Sequence, residues 1–92
     1  MPSPDRIKIL SQLELACERG EKFKVCKILK KNNIILEKDI ANLFVDACFL
    51  GLPTLAMWLF NVSKQDINFE GAFIGAFANN KLFMVKWLLS VR

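Results

Sequence analysis

The sequence predicts an all-α protein, an α-solenoid of three stacked antiparallel helix pairs. One pattern occurs three times: an Ala, three further residues, and then Gly or Asn, followed each time by an apolar helical segment. The alanines of this pattern, Ala16, Ala47 and Ala76, are 31 and 29 residues apart. A period near 30 residues is typical of stacked helical repeats, which bury their apolar faces against their neighbours. No stretch alternates between apolar and polar residues as a half-buried strand would.

The first two predicted helices have recognisable ends. Ser3-Pro4-Asp5 begins the first helix, because Ser can cap it, Pro suits its first position and Asp complements the helix dipole. This helix stops at Gly20, with a break expected near Ser11, a second candidate cap. The next helix covers residues 23–31 and ends at Asn32-Asn33. These two helices form the first predicted pair.

Turn residues also separate the other four helices. Gly51-Leu52-Pro53 lies between the third and fourth, a polar connector at 63–66 precedes the fifth, and Asn79-Asn80 precedes the sixth. The predicted helices cover residues 40–50, 54–61, 69–78 and 81 to the C terminus. The chain is therefore expected to be a single domain, residues 1–92, with repeat units at about 3–31, 39–62 and 68–92.

Composition limits the chemistry of the protein. Of its 92 residues, 53% are hydrophobic, which indicates an apolar surplus that a partner or a second copy would cover. The chain contains no histidine, so His-dependent nucleophile activation, imidazole metal ligands and His-based pH switching are excluded. Three cysteines without a C-x-x-C pair fit neither a disulfide framework nor a thiolate zinc site. We therefore expect no enzyme, no cofactor and no catalytic or metal-binding residues.

The cysteines and the hydropathy pattern predict the compartment. Cys17 and Cys48 occupy equivalent positions beside an Ala, so both are expected to be buried free thiols in a reducing environment. Residues 1–5 lack the basic and apolar regions of a secretory signal. Residues 40–62 carry one charge and are long enough to cross a bilayer, but Gly51-Leu52-Pro53 interrupts them. A buried helix pair is favoured there, in an intracellular protein of the cytoplasm or nucleus.

The repeats share three further features. In the first helix of each repeat, an apolar residue comes first: Leu13, Phe44 or Phe73. A dipeptide that begins with the repeated alanine follows: Ala16-Cys17, Ala47-Cys48 or Ala76-Phe77. The helix then ends at Gly20, Gly51 or Asn80. Residues 81–89 resemble, nearly position by position, the segment G-H-L-E-V-V-K-Y-L-L. With these features residues 13–89 resemble the ankyrin-repeat family, most closely the divergent repeats of large DNA viruses and other microbes. For a viral protein, the expected compartment is the cytoplasm or nucleus of the host cell.

This resemblance implies a stacked scaffold that binds another protein without catalysis. The sequence departs from the family in two respects. Its period of 29 to 31 residues is shorter than the ~33 of the family, so the connecting β-hairpins are expected to be shortened or absent. The T-P-L-H signature is missing too, and Ser11, Asn42 and Gly71 stand where its Thr would be.

Three apolar residues are candidates for partner binding. Phe49 and Leu50 end the third helix, where the other two units carry Glu18-Arg19 and Ala78-Asn79. Large apolar groups at a usually polar position suggest a contact anchor, although folded-over connectors would bury them equally well. Met57 stands where the other units carry Lys, so it is either part of an exposed patch or a filler of irregular core space.

A stripe of lysines marks the second helix. At 100° per residue, Lys24, Lys27, Lys30 and Lys31 fall within one third of its circumference, opposite Val25, Cys26, Ile28 and Leu29. Such a stripe could attract phosphate or an acidic partner. An ordinary solvated face is favoured, because no Arg cluster, Gly-rich loop or exposed aromatic platform accompanies it in the sequence.

These observations favour a non-catalytic protein–protein interaction module over the other classes. The segment after Leu88 lacks the polar outer face that caps a repeat array, so self-association through this uncapped end is expected alongside an unidentified protein partner. The alternative is a basic adaptor that binds nucleic acid or an anionic membrane through the lysine stripe. Because the solvated face is favoured, neither nucleic acid nor a membrane is the expected partner.

Overall fold

The computed structural model describes residues 3–62 and 67–91. These residues form six α-helices: α1 (Pro4–Glu18), α2 (Lys22–Lys31), α3 (Glu37–Leu50), α4 (Pro53–Val62), α5 (Phe69–Ala78) and α6 (Leu82–Val91). Neither range contains a strand, so the predicted all-α class is confirmed. The predicted polar connector at 63–66 lies outside the described residues.

Helix α1 begins as predicted but does not break. The Ser3 hydroxyl accepts a hydrogen bond from the Arg6 backbone N–H at 3.2 Å, and Pro4 occupies the first helical position. The break expected at Ser11 is wrong, because Leu10 and Leu13 on either side of it are both fully buried in the core of one continuous helix. Core packing outweighs a candidate cap in mid-helix.

The segment that resembled a membrane span is divided between two helices, as predicted. Gly51 adopts a left-handed conformation with a φ of 71° between α3 and α4. Across residues 3–62 and 67–91, no helix combines the length and apolar character needed to cross a membrane.

One turn geometry ends the first helix of each pair. Gly20, Gly51 and Asn80 all have positive φ, between 59° and 71°. At each turn this residue donates its N–H to the carbonyl three residues back, and the next residue donates to the alanine carbonyl five residues back, at 2.8–2.9 Å. This is the Schellman motif, which satisfies the unpaired carbonyls at a helix C terminus. The three pairs, which we name the first, second and third hairpins, therefore reverse direction by the same device.

The repeat period is also visible in the buried residues. The alanines that accept these bonds, Ala16, Ala47 and Ala76, are each at most 1% exposed. The second helix of each hairpin buries two residues four positions apart: Val25 and Leu29, Leu55 and Leu59, Met84 and Leu88. Equivalent sequence positions thus occupy equivalent places in a single continuous core.

The hairpins are joined differently at their two junctions. The chief contacts between the first and second hairpins are those of α1 with α4, and between the second and third those of α3 with α5. The second junction also holds an aromatic cluster, which we define as Phe44, Phe60, Phe69 and Trp87, with ring centroids 5.6–6.4 Å apart. These are favourable tilted and edge-to-face separations for aromatic rings.

A buried carboxylate links α1 to α4 at the first junction. Glu14 is 8% exposed, and its Oε1 accepts a hydrogen bond of 2.6 Å from the Leu55 backbone N–H in the first turn of α4. Burial raises the pKa of Glu14 above its ordinary value of 4.5, whereas the N–H groups of Leu55 and Thr54 favour the ionised form and oppose that shift. The positive end of the helix dipole makes this a suitable position for a carboxylate.

A second polar contact joins α1 to α3. The Arg6 guanidinium donates to the Asp46 carboxylate at 3.0 Å. Both side chains are about one-quarter exposed, so solvent screens this pair and its stabilising effect is small. The first hairpin is therefore held chiefly by apolar burial and by Glu14.

Removing the Phe44 ring should destabilise the protein strongly. Phe44 is fully buried and its ring lies beside three other aromatic rings, so Phe44→Ala should cost about 3–5 kcal/mol. Phe83→Ala is the matched control, since Phe83 is 61% exposed and its loss should cost less than about 0.5 kcal/mol. Urea unfolding followed by circular dichroism measures both. Similar losses in the two variants would contradict this packing.

Glu14 should make stability depend on pH in the acidic range. Because the pKa of Glu14 is higher in the folded protein than in the unfolded chain, protonation of Glu14 stabilises the fold. This stabilisation is fully present below pH 4.5 and is lost as the pH rises through the folded pKa. Glu14→Gln keeps an oxygen acceptor for Leu55 but does not titrate. The unfolding free energy of the wild type, relative to that of the Gln variant, should therefore fall between pH 4.5 and pH 7. A difference that stays constant over this range would contradict the burial of a titrating Glu14.

Candidate functional site

The third hairpin exposes a set of large apolar side chains. Ile74 and Phe77 on α5 are 58% and 66% exposed, and Leu89 on α6 is 54% exposed. The rings of Phe73 and Phe77 stack at a centroid distance of 6.3 Å. Phe73 and Leu89 also line one groove of about 500 Å³ together with Phe69, Glu70 and Leu88. We define Phe73, Ile74, Phe77 and Leu89 as the terminal apolar face.

The same positions are covered in the other hairpins. Ile74 corresponds to Val45 and Glu14, and Phe77 to Cys48 and Cys17. Glu14 and Cys48 are buried, while Val45 and Cys17 are half-buried. Glu14 is covered by α4, which belongs to the next hairpin. The terminal apolar face is thus the surface on which a further helical layer would pack.

Ile74 and Phe77 are not among the binding residues predicted from the sequence, where Phe77 appears only beside Ala76 in the repeated pattern. They lie within an apolar helix, and apolar helices in a core look the same as those at a surface. The signal that could have found them is the repeat alignment, because it places both residues at positions that need a following hairpin to cover them.

The three predicted partner-binding residues are only partly accessible. Phe49 is half-buried on α3 and packs toward α5: a Cβ atom added at Gly75 would lie 3.4 Å from its ring. Leu50 is half-buried against the core, and Met57 is half-buried on α4. The structure does not bring these residues into the terminal apolar face, and their role in binding stays a prediction.

The four lysines of the predicted basic patch are all exposed on α2. Val25 and Leu29 opposite them are buried, whereas Cys26, expected on the apolar side, is exposed. Helix α2 carries lysines on much of its circumference, so Cys26 lies at the edge of the core rather than within it. The predicted patch, Lys24, Lys27, Lys30 and Lys31, is therefore a continuous basic surface.

Phe23 changes the character of this basic surface. It is 94% exposed and lines a shallow depression of about 490 Å³ with Lys24, Lys27, Ile28 and Lys31. The sequence predicts no exposed aromatic platform beside the lysines, and the structure places one exposed aromatic ring there. Phe23 is the second residue of α2, in a helix that buries its apolar residues Val25 and Leu29, and only the tertiary structure leaves Phe23 in solvent. We define Phe23 and the four lysines as the basic face of α2.

The cysteines differ in their surroundings. Cys48 is fully buried, as predicted, whereas Cys17 is half-buried and Cys26 is exposed. Burial raises the pKa of the Cys48 thiol to about 12. Burial, together with the charge of Glu14, raises the pKa of the Cys17 thiol to about 11. Since the thiolate is the reactive form, neither thiol is activated as a nucleophile.

Comparison of this chain with known proteins identifies no relative. No protein-family model, curated protein or solved structure matches this chain. Within the described ranges, no three Cys, Asp or Glu side chains converge in a way that could hold a metal ion. The terminal apolar face and the basic face of α2 are the two candidate contact surfaces.

The three thiols should react at different rates with a disulfide reagent such as DTNB. In the native protein at neutral pH, the exposed Cys26 should react first. Cys17 and Cys48 should react more slowly, at least tenfold, because their thiolates are scarce and their sulfur atoms covered. Absorbance at a series of times gives the rates, and Cys26→Ser should remove the fast phase. Three equal rates would contradict the burial of Cys48.

Proposed function

We propose that this protein is a non-catalytic protein–protein interaction module, built as an ankyrin-like α-solenoid of three hairpins. Its contact surface is the terminal apolar face. The observation that carries this proposal is the exposure of Ile74 and Phe77, whose equivalents in the other two hairpins are buried or half-buried.

The architecture is supported by the repetition of the turn. Three Schellman turns at spacings of 31 and 29 residues, with a buried alanine at each, give the three hairpins equivalent geometry. The connector from Asn32 to Leu36 contains no strand, which agrees with the expected loss of the β-hairpin there. The unlike junctions, α1 with α4 and α3 with α5, make this stack less regular than a strict repeat array.

The terminal apolar face has the properties of a binding surface. The Phe73 ring stacks on Phe77 and shares a groove with Leu89, and Ile74 is a further exposed aliphatic side chain of the same helix. Large clustered side chains of this kind dominate binding energy at interfaces. Exposed apolar patches that are rimmed by polar residues are typical of protein-binding sites. Glu70 borders the groove and supplies a charge at its rim.

The partner proposed first is a second copy of this chain. A twofold axis allows one apolar patch to cover its own equivalent, so the same four residues of each copy would meet. The exposed side of the first hairpin instead carries mainly polar and charged residues, among them Lys8, Ser11, Gln12 and Arg19, and its exposed large apolar side chains are Leu15 and Phe23. Contact between two terminal apolar faces is therefore favoured over head-to-tail stacking.

Size-exclusion chromatography with light scattering tests this proposal. The molar mass of the wild type measured by light scattering should be twice the 10.5 kDa of one chain. Ile74→Asp combined with Phe77→Asp should raise the dissociation constant at least ~100-fold, since two charges would be buried at the contact. The variant should elute as a monomer with an unchanged circular dichroism spectrum.

The control is Ile35→Asp, which changes an equally exposed residue outside this face. Ile35 is 64% exposed in the connector between α2 and α3, so this variant should remain dimeric. A wild type that is monomeric at every concentration would contradict self-association. A dimer that Ile35→Asp disrupts and the double Asp variant preserves would place the contact elsewhere and contradict the proposed face.

A further inference from the structure

The outward side of α2 places a phenylalanine among lysines. Counting 100° per residue, Phe23 falls inside the arc from Lys30 to Lys24, between Lys30 and Lys27. The buried Val25 and Leu29 lie on the opposite side of the helix. The basic face of α2 therefore has an apolar group inside its arc of positive charge.

Phe23 does not contribute to the packing of the fold. At 94% exposure it is the most exposed of the large apolar side chains in the described ranges, and it does not belong to the core or to the side chains packed against it. An apolar ring in water loses the stabilisation that burial would provide. A contact outside the folded chain would cover the ring and provide that stabilisation.

The lysines around Phe23 are available to a partner as well. Helix α2 contains five lysines among ten residues and no acidic residue. Within residues 3–62 and 67–91, the only ion pair closer than 4.0 Å joins Arg6 to Asp46. The positive charge of α2 is thus not neutralised by carboxylates of these residues.

We propose that the basic face of α2 binds the surface of an anionic lipid bilayer. The lysine ammonium groups would meet the anionic headgroups, and the Phe23 ring would enter the boundary between headgroups and acyl chains. Helices that lie in this boundary carry lysines on the polar side and Phe, Trp or Leu where they enter the membrane. Anionic lipids attract such clusters of lysines at short range.

The shape of the surface favours a bilayer over the other anionic partners. The face is the convex side of one helix, and its depression is shallow and open, so it fits a broad surface better than a strand or a peptide. Proteins that bind single-stranded nucleic acid use a positively charged groove with a series of stacking aromatics, whereas α2 offers one ring. Its cations are lysines, which act as point charges and lack the planar fork with which arginine binds phosphate in two places.

This inference is independent of the proposed protein contact. The basic face belongs to the first hairpin, and the terminal apolar face belongs to the third. Each surface can therefore be altered separately.

Sedimentation with lipid vesicles tests the inference. The full chain is mixed with vesicles of phosphatidylcholine alone or with about one third phosphatidylserine. We expect binding to the anionic vesicles only, and weaker binding at higher salt. Phe23→Ser should weaken it about tenfold, and Lys27→Glu with Lys31→Glu should weaken it more than tenfold.

Two control variants carry matched changes outside the basic face. Phe83→Ser removes another exposed ring, and Lys38→Glu with Lys86→Glu makes the same change in net charge at exposed positions on α3 and α6. Both should bind within about twofold of the wild type. The same proteins are also tested on a single-stranded oligothymidine by fluorescence anisotropy.

Three results would overturn the inference. The first is no binding to anionic vesicles by the wild type. The second is an equal loss of vesicle binding in the control variants, which would show that binding depends on net charge and not on the basic face of α2. The third is binding of the oligonucleotide, sensitive to Phe23→Ser, without binding of vesicles, which would assign the face to nucleic acid.

Discussion

The structure depends on the left-handed turn that ends the first helix of each hairpin. Gly20, Gly51 and Asn80 accept a positive φ, which Gly adopts without strain and Asn more readily than other residues. This turn closes two hydrogen bonds and brings the second helix back against the first. The alanine that accepts the shorter of these two bonds is fully buried, so a larger side chain there would separate the two helices.

Identical turns do not make identical junctions. The first hairpin meets the second through α1 and α4, with a buried carboxylate at the N terminus of α4. The third meets the second through α3 and α5, with an aromatic cluster that includes Trp87 of α6. A carboxylate bond requires a defined geometry, whereas aromatic rings tolerate several. The two kinds of contact allow the helix packing to differ while the hairpin itself is repeated.

The surfaces at the two ends of the chain follow from this arrangement. The first hairpin turns charged and polar residues outward, and its second helix is the most basic element of the structure. The third hairpin carries only apolar residues, glycines and one carboxylate on α5. Its outward side therefore has the composition of an interior without a covering layer. The exposed surfaces of the first and third hairpins therefore differ in character: the first is mainly basic and polar, and the third is mainly apolar.

Local sequence features are sufficient to predict the all-α class of the fold and the positions of its turns. The period of the alanines, the Gly and Asn residues after them and the Ser3-Pro4 start are local features, and local features act through backbone preferences that do not depend on distant residues. For this reason the helix order was predicted correctly, and the error at Ser11 arose where a local cap competes with burial of Leu10 and Leu13 on either side.

The burial of individual apolar residues depends instead on how the helices pack against one another. Phe44 and Phe23 are both apolar residues of helices, yet the first is fully buried and the second is 94% exposed. Exposure is a property of what packs against a residue, and neither composition nor periodicity specifies the neighbour. For the same reason the sequence predicts Phe49 and Leu50 as candidate binding residues, although both are half-buried. The exposure of Ile74 and Phe77 is visible only in the packed hairpins.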